Sequence, residues 1–413
     1  MPFQIHPRIL PRPVFGVSCS EIDAHPRRVP TVSIKTVSFH PSIWPKMIGE
    51  VSPDAKPGDL VEVLDKQGET FGWGFFNPRS NMPLRIVSHG KDPIDEDFFI
   101  DAIRDAAELR KGIFHLGEHT SAYRCIHADA DRLPGLVADR FGDILSLEIT
   151  TLAAWQRLDT WIPALHEAFG TERTHIQIDP KLARIECIPT KQAHPLATPG
   201  IRKVKIDEHG ATFEIDFAEG HKTGFFCDQR DNRLRLAKLA SGRSMLDLCC
   251  YSGGFSVHAA KAGAKEIHAV DLDEKAIAMA QRNANLNGTR IKFTHADAFT
   301  WARTMVENGR EWDLVLADPP KFVTGRDDEK GRGKYHDLNK LAAQLVRPGG
   351  FLVTCSCSGM LNEFEFEKLV TTAVHKLGRR LQIFDRTGPG PDHPTLSNYP
   401  ESRYLKVIWA RVW

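Results

Sequence analysis

No sign of charge dominates this 413-residue chain: 54 lysines and arginines stand against 53 aspartates and glutamates, a formal net charge of +1. A global basic field that would advertise nucleic acid is excluded, so any RNA-binding surface has to be a local patch balanced by acid elsewhere. The eight cysteines (Cys19, Cys125, Cys187, Cys227, Cys249, Cys250, Cys355 and Cys357) show neither a disulfide framework nor a paired C-x-x-C zinc signature. No metal site is expected, and a reducing, cytoplasmic setting fits best. No apolar run is long enough to span a bilayer, and the first thirty residues, with six prolines, contain no apolar stretch suited to a signal-peptide core. Secretion and membrane insertion are therefore not expected. Internal repeats, low-complexity segments and a G-x-G-x-x-G fingerprint are also missing.

What is present divides into segments, and the length alone implies two or three domains. Residues 1–30 read as a proline-rich extension. Over 31–105, short apolar stretches alternate at period two between turns such as Lys56-Pro57-Gly58-Asp59 and Asp65-Lys66-Gln67-Gly68, which predicts a small antiparallel barrel. A helix is predicted over about Glu96 to Leu109, closing or leaving that barrel. Residues 106–205 mix strands such as Ile144–Ile149 with an amphipathic helix near Leu152 to Ala168, a small α+β unit whose Asp131 to Val137 stretch reads as a turn entering a hairpin.

From 206 to 413 the rhythm is strand, turn, helix, with strands predicted at Ser244–Leu248, Glu266–Val270, Ile291–Thr294, Leu314–Ala317 and Phe351–Cys355. Such alternation predicts a parallel α/β sheet covered on both faces, with ligands at the carboxyl ends of its strands.

Two runs in this last segment carry chemistry. Ser244 to Leu248 leads into Cys249-Cys250-Tyr251-Ser252-Gly253-Gly254, where the glycines open a helix and let backbone approach a ligand. Asp247 ends the first strand, Asp271 follows the second and is placed for ribose hydroxyls, and Asp297 with Ala298 is placed to read an adenine edge. A dehydrogenase shares part of this pattern. An acidic Asp247 would repel a pyrophosphate but hold an ammonium, so S-adenosylmethionine suits the charge better than a dinucleotide.

The second run begins with Asp318-Pro319-Pro320-Lys321-Phe322, a strand-ending corner that aims a carboxylate outward, with Phe322 available to stack on a base. The Gly-, Lys- and Arg-rich segment Val323 to Lys340 reads as a mobile loop. Beyond it, Thr354-Cys355-Ser356-Cys357-Ser358 offers a thiol nucleophile at the end of the neighbouring strand. Thiolate addition at carbon six would activate carbon five of a pyrimidine. Alternation turns Cys355 and Cys357 the same way, and spacing does not choose between them.

These runs, together with Pro57-Gly58-Asp59, Gly74 to Pro78, Asp131 to Asp139, Thr223 to Arg230, Ser356 to Gly359 and Asp392-His393-Pro394, resemble the cytosine-5 methyltransferases of large-subunit ribosomal RNA that carry an N-terminal PUA domain. The resemblance spans most of the chain. It implies a PUA-type RNA-binding barrel at 31–105, a small middle domain, and a Rossmann-like class I methyltransferase domain at 206–413.

It further implies S-adenosylmethionine as cofactor, ribosomal RNA as partner, Cys357 as nucleophile, and Gln229 with the Tyr251 loop beside the cofactor. On that basis Asp318 is read as catalytic, and Pro319, Pro320 and Phe322 as substrate-binding. The chain departs from the pattern where Phe39 to Trp44 replaces a basic, glycine-containing opening of the barrel. It departs again where Pro320 and Lys321 stand in place of a second cysteine. Methylation of a guanine nitrogen and a non-catalytic assembly factor are the alternatives, and a homodimer is left open.

Overall fold

The computed structural model describes residues 29–217 and 224–413, so most of the proline-rich extension, Cys19 and Thr223 lie outside the described residues. The chain begins with β1 (Thr31–Ile34), β2 (Ser42–Ile43), β3 (Ile48–Val51), β4 (Asp59–Leu64), β5 (Thr70–Phe76) and β6 (Leu84–His89). They form one sheet in the order β2-β6-β5-β4-β1-β3. All pairs are antiparallel except β1 with β4, so the purely antiparallel barrel expected from sequence is corrected at that pair. Alternate residues such as Val61 and Val63 face a core shared with Val32, Ile34, Phe76 and Ile86. Gly72 and Gly74 are required by close approach: a Cβ there would stand 2.3 Å from Ser88 O and 2.5 Å from Arg85 O on β6.

Helix α1 (Glu96–Ala107) starts at Asp95, whose side chain accepts from the Asp97 and Phe98 amides. Its buried face, Phe99, Ala102, Ile103 and Ala106, packs into the middle core with Tyr123 and Trp161 rather than closing the barrel. The expected division at 105/106 thus falls inside a helix. The barrel meets this core through Phe75, stacked on Phe99 at 5.2 Å.

The middle unit continues with β7 (Ala122–His127), β8 (Leu136–Phe141), β9 (Ile144–Ile149), α2 (Leu152–Gln156), α3 (Leu158–Phe169), β10 (Arg173–Gln177) and α4 (Pro180–Glu186), its sheet running β10-β9-β8-β7. A hairpin, β11 (Lys203–Glu208) and β12 (Ala211–Asp216), leads onward, and the expected division at 205/206 falls within β11.

The last unit comprises α5 (Arg230–Ala240), β13 (Ser244–Leu248), α6 (Gly254–Lys261), β14 (Glu266–Asp271), α7 (Glu274–Leu286), β15 (Lys292–His295), α8 (Ala298–Glu307), β16 (Trp312–Ala317), α9 (Glu329–Leu345), β17 (Val346–Ser356), α10 (Glu363–His375), β18 (Leu381–Thr387) and β19 (Lys406–Val412). The sheet order is β15-β14-β13-β16-β17-β19-β18, parallel from β15 through β17, with β19 inserted antiparallel. The order reverses beside β13, and in open α/β sheets ligands bind at such a switch point, here the carboxyl ends of β13 and β16.

The expected loop at Val323 to Lys340 is corrected: α9 begins at Glu329, capped by Asp328 accepting from Gly331 N at 2.9 Å. Tyr335, Leu338, Leu341, Ala342 and Leu345 recur at helical spacing and are buried, which outweighs the glycines and charges around them.

A buried ionic knot ties the middle unit to the last one. Asp392, fully buried between β18 and β19, accepts from Arg230 at 2.9 and 3.0 Å and from the Arg124 amide at 2.9 Å. Arg110 pairs bidentately with Asp131 at 2.8 Å and donates to Asp392 O. Burial alone would push the Asp392 carboxyl up, but His393 and Arg230 hold it well below the ordinary range. Asp392→Ala leaves buried Arg230 with only the half-exposed Asp231 carboxylate at 3.1 Å, and it should cost about 3–5 kcal/mol. Urea unfolding monitored by fluorescence checks this, and an unchanged midpoint would count against the knot as a source of stability.

Candidate active site

The strand-to-helix loop after β13 is held in an unusual backbone. Cys249, Tyr251 and Gly253 take φ values of +66°, +46° and +76°, and left-handed conformations at two non-glycine residues store strain of the kind found at ligand sites. Several contacts enforce it. Cys249 N and Cys250 N both donate to Val270 O, Tyr251 N donates to Asp271 Oδ2 at 2.8 Å, and Asn283 Nδ2 donates to Ser252 O at 3.0 Å.

The two glycines expected to clear space for a ligand also serve packing. A Cβ on Gly253 would meet Ala280 at 3.1 Å, and one on Gly254 would meet the Arg233 side chain at 2.9 Å. Arg233 is itself fixed by paired bonds of 2.6 Å to buried Glu208, which also contacts His258.

Three acids line this end of the sheet. Asp247, 1% exposed at the end of β13, accepts from the Ser256 hydroxyl at 2.6 Å through one oxygen, while Oδ1 is buried without a partner. Burial pushes its carboxyl up to about 7; the Ser256 bond opposes this and Asp271 adds to it. A buried carboxylate oxygen lacking a donor matches a cationic ligand group. Asp271, ending β14, is partly exposed and accepts from Asp273 N as well as Tyr251 N. Asp297 caps α8 through Oδ1, taking the Thr300 amide and hydroxyl at 2.9 Å, and Ala298 is the buried first residue of that helix.

Asp318 follows β16, and its amide donates to Leu248 O, which brings it beside the loop after β13. Gln229, 4% exposed, donates to Asp318 Oδ2 at 3.2 Å and accepts from Asn232 at 2.7 Å. Burial pushes the Asp318 carboxyl up to about 7, helped by Asp228 and Asp247 and opposed by hydrogen bonds from Gln229 and Cys355.

Pro319 is buried and Pro320 exposed. Phe322, expected to stand ready for a base, is partly exposed and meets Tyr335 of α9 edge-on at 5.0 Å and Phe299 at 6.1 Å.

β17 lies parallel to β16, with Ala317 opposite Thr354, so the thiols stand next to the Asp318 corner. Cys355 is fully buried, and burial, followed by Asp318, pushes its thiol well above the ordinary value. Cys357, just past the end of β17, is partly exposed. Its neighbours are locked: Ser358 Oγ meets Tyr335 Oη at 3.0 Å and accepts from Val323 N at 3.2 Å.

The structure therefore gathers Gln229, Asp247, the Tyr251 loop, Asp271, Asp318 and Cys357 at one sheet edge. Sequence reasoning missed Asp228, Tyr404 and Lys406. The Tyr404 hydroxyl donates to Asp228 at 2.7 Å, and Lys406 sits opposite Ser356 on β19. No local pattern flags these contacts, since they depend on the return of the last strand.

A family model for S-adenosylmethionine-dependent methyltransferases matches residues 185–396, and one for a PUA-like domain matches residues 34–89. The ribosomal RNA large subunit methyltransferase I of Erwinia tasmaniensis is 34% identical over 379 residues, 90% of this chain and 95% of the relative. That of Shewanella frigidimarina is 36% identical over 386 residues, 91% and 96% of the two chains. Among solved structures, a methyltransferase complexed with SAH superposes with a TM-score of 0.79 at 19% identity, over 92% of this chain and 99% of the other. A SAM-dependent methyltransferase from Streptococcus mutans gives 0.76 at 19% identity, with the same coverage. These two share the fold. The chain belongs to the S-adenosylmethionine-dependent methyltransferase family, in the PUA-domain group represented by the ribosomal RNA large subunit methyltransferases I.

Proposed function

We propose that this chain is a cytoplasmic enzyme that methylates carbon five of a cytosine in large-subunit ribosomal RNA through a covalent adduct at Cys357. The observation that carries the reading is the placement of a partly exposed thiol and a carboxyl raised to about 7 on adjacent parallel strands, beside a strained cofactor-type loop.

Asp247, with its partnerless buried oxygen, would hold the amino group of S-adenosylmethionine. The glycine loop, Asp271 and Asp297 with Ala298 take its sugar and base. When bound, this cofactor supplies an electrophilic methyl group. Cys357 adds as thiolate to carbon six of the cytosine, and the displaced ring pair is neutralised at N3 by the proton that Asp318 can hold near neutral pH. Carbon five then carries the nucleophilic pair. After methyl transfer the carbon-five proton leaves to water, its bonding pair restores the ring double bond, the carbon–sulfur pair returns to Cys357, and the N3 proton returns to Asp318. Gln229 holds Asp318 in place from the side of α5.

RNA would approach this edge along a groove of about 750 Å³ whose lining includes Lys406 and Gly359, the latter next in sequence to Ser358. Arg326, Arg386 and Arg403 line it, and Phe364 at its rim is 78% exposed, which suits phosphates and an unstacked base.

RNA carrying 5-fluorocytosine should trap the wild-type protein as a denaturation-resistant adduct on gels, while Cys357→Ala should form none. Methyl transfer by Cys357→Ala at the wild-type rate would end the adduct mechanism. Asp318→Asn should slow transfer roughly 100-fold or more with cofactor affinity intact. Asp247 must lose its proton to pair with an ammonium, so calorimetric affinity for S-adenosylmethionine should weaken as pH falls through about 7. In Asp247→Asn that affinity should be low at every pH, and wild-type affinity in the variant would remove Asp247 from the site.

A further inference from the structure

One buried cation beside the thiol has no part in the chemistry above. Lys406 is the first residue of β19 and pairs with Ser356, the residue before Cys357. Its side chain is almost fully buried, 5% exposed, and Nζ donates to Ser358 O at 2.6 Å and to Tyr404 O at 2.8 Å. The ammonium is thereby fastened to the carbonyl directly following Cys357. Among the described residues it has no carboxylate partner, although a buried lysine ordinarily needs one. Two of its three N–H donors are spent on carbonyls, and the third is left for another acceptor.

Burial pushes the Lys406 ammonium down to about 8, and the group that most favours its charge is Cys357, ahead of Glu363 and Glu365 from the first turn of α10; Lys321 acts against it. Tyr335 of α9 also faces the thiol, and burial keeps its phenol above the ordinary value and protonated. Lys406 is thus the cation of this cluster that is fixed in position by two backbone bonds. It also lines the groove described above.

We propose that Lys406 is a positioning residue for the Cys357 thiolate: its ammonium, pinned on Ser358 O and Tyr404 O, stabilises the sulfur anion before addition and again after release. The inference rests on Cys357 being the nucleophile. The thiol proton goes to solvent, the sulfur pair forms the bond to carbon six, and on elimination that pair returns to a sulfur facing the same cation. Lys406 keeps its three protons throughout. It also ties this charge to β19, so the thiol is activated only when the last strand has returned to the sheet.

The test is the pH dependence of Cys357 alkylation by iodoacetamide in the full chain, read by peptide mass spectrometry, with exposed Cys187 as internal reference. Opposite charges at close range shift a titration by about 1–3 pH units. In Lys406→Gln the midpoint for Cys357 should rise by at least about one unit, making alkylation roughly tenfold slower near neutral pH. Lys406→Arg should retain most of the wild-type midpoint, and Cys187 should not move in either variant.

An unchanged Cys357 midpoint in Lys406→Gln would overturn the inference. Should that variant fail to bind S-adenosylmethionine and so prove unfolded, the wild-type protein decides: Cys357 is expected to titrate below Cys187, and a midpoint at or above it overturns the proposal. Methylation that persists in Cys357→Ala would instead overturn the nucleophile reading, whereas a Cys357-dependent enzyme with an unshifted profile overturns only the role of Lys406.

Discussion

The buried charge of Asp392 is the constraint on which the rest of the architecture hangs. A carboxylate taken wholly out of water is costly unless every oxygen finds a donor, and here Arg230 from α5 and the Arg124 amide from β7 supply them. Those partners come from different units of the chain, so meeting the demands of one carboxylate fixes the middle sheet against the catalytic sheet. The same loop runs on through Tyr404, which grips Asp228, and into Lys406. Asp228 adjoins Gln229, and Gln229 reaches Asp318. A structural ion pair and the reactive edge are therefore one connected polar network.

The site works by desolvation. Asp247 and Asp318 are both raised to about 7 chiefly because they are buried, yet they suit different chemistry, since one can meet an ammonium and the other can hold a proton for a ring nitrogen. The two thiols separate on the same principle. Cys355 is sealed beneath the sheet edge with its thiol pushed up, while Cys357 lies past the end of β17, partly exposed and followed by Ser358, whose carbonyl holds Lys406. Alternation alone makes them look equivalent; burial does not.

Much of the last unit was legible because parallel strands buried on both faces read as short apolar runs. The first of them, Ser244–Leu248, lies where the pattern predicted, and Leu314–Ala317 and Phe351–Cys355 extend by a few residues. The reading failed at α9, where glycine and charge suggested a loop but an apolar stripe with an Asp328 cap makes a helix. At α1 the helix lies where the spacing put it, but its apolar face announced burial without saying against what.

By itself the sequence determined the rhythm of elements, the acids at strand ends, the Asp-Pro-Pro corner and the pair of candidate thiols, because each is written in contiguous residues whose backbone preferences are local. Only the tertiary structure decided which thiol is open, which carboxyls are raised, and that Lys406 is pinned on Ser358 O at the end of β17. Those properties arise from burial and from the antiparallel insertion of β19 between β17 and β18, and both depend on contacts between residues far apart in the chain.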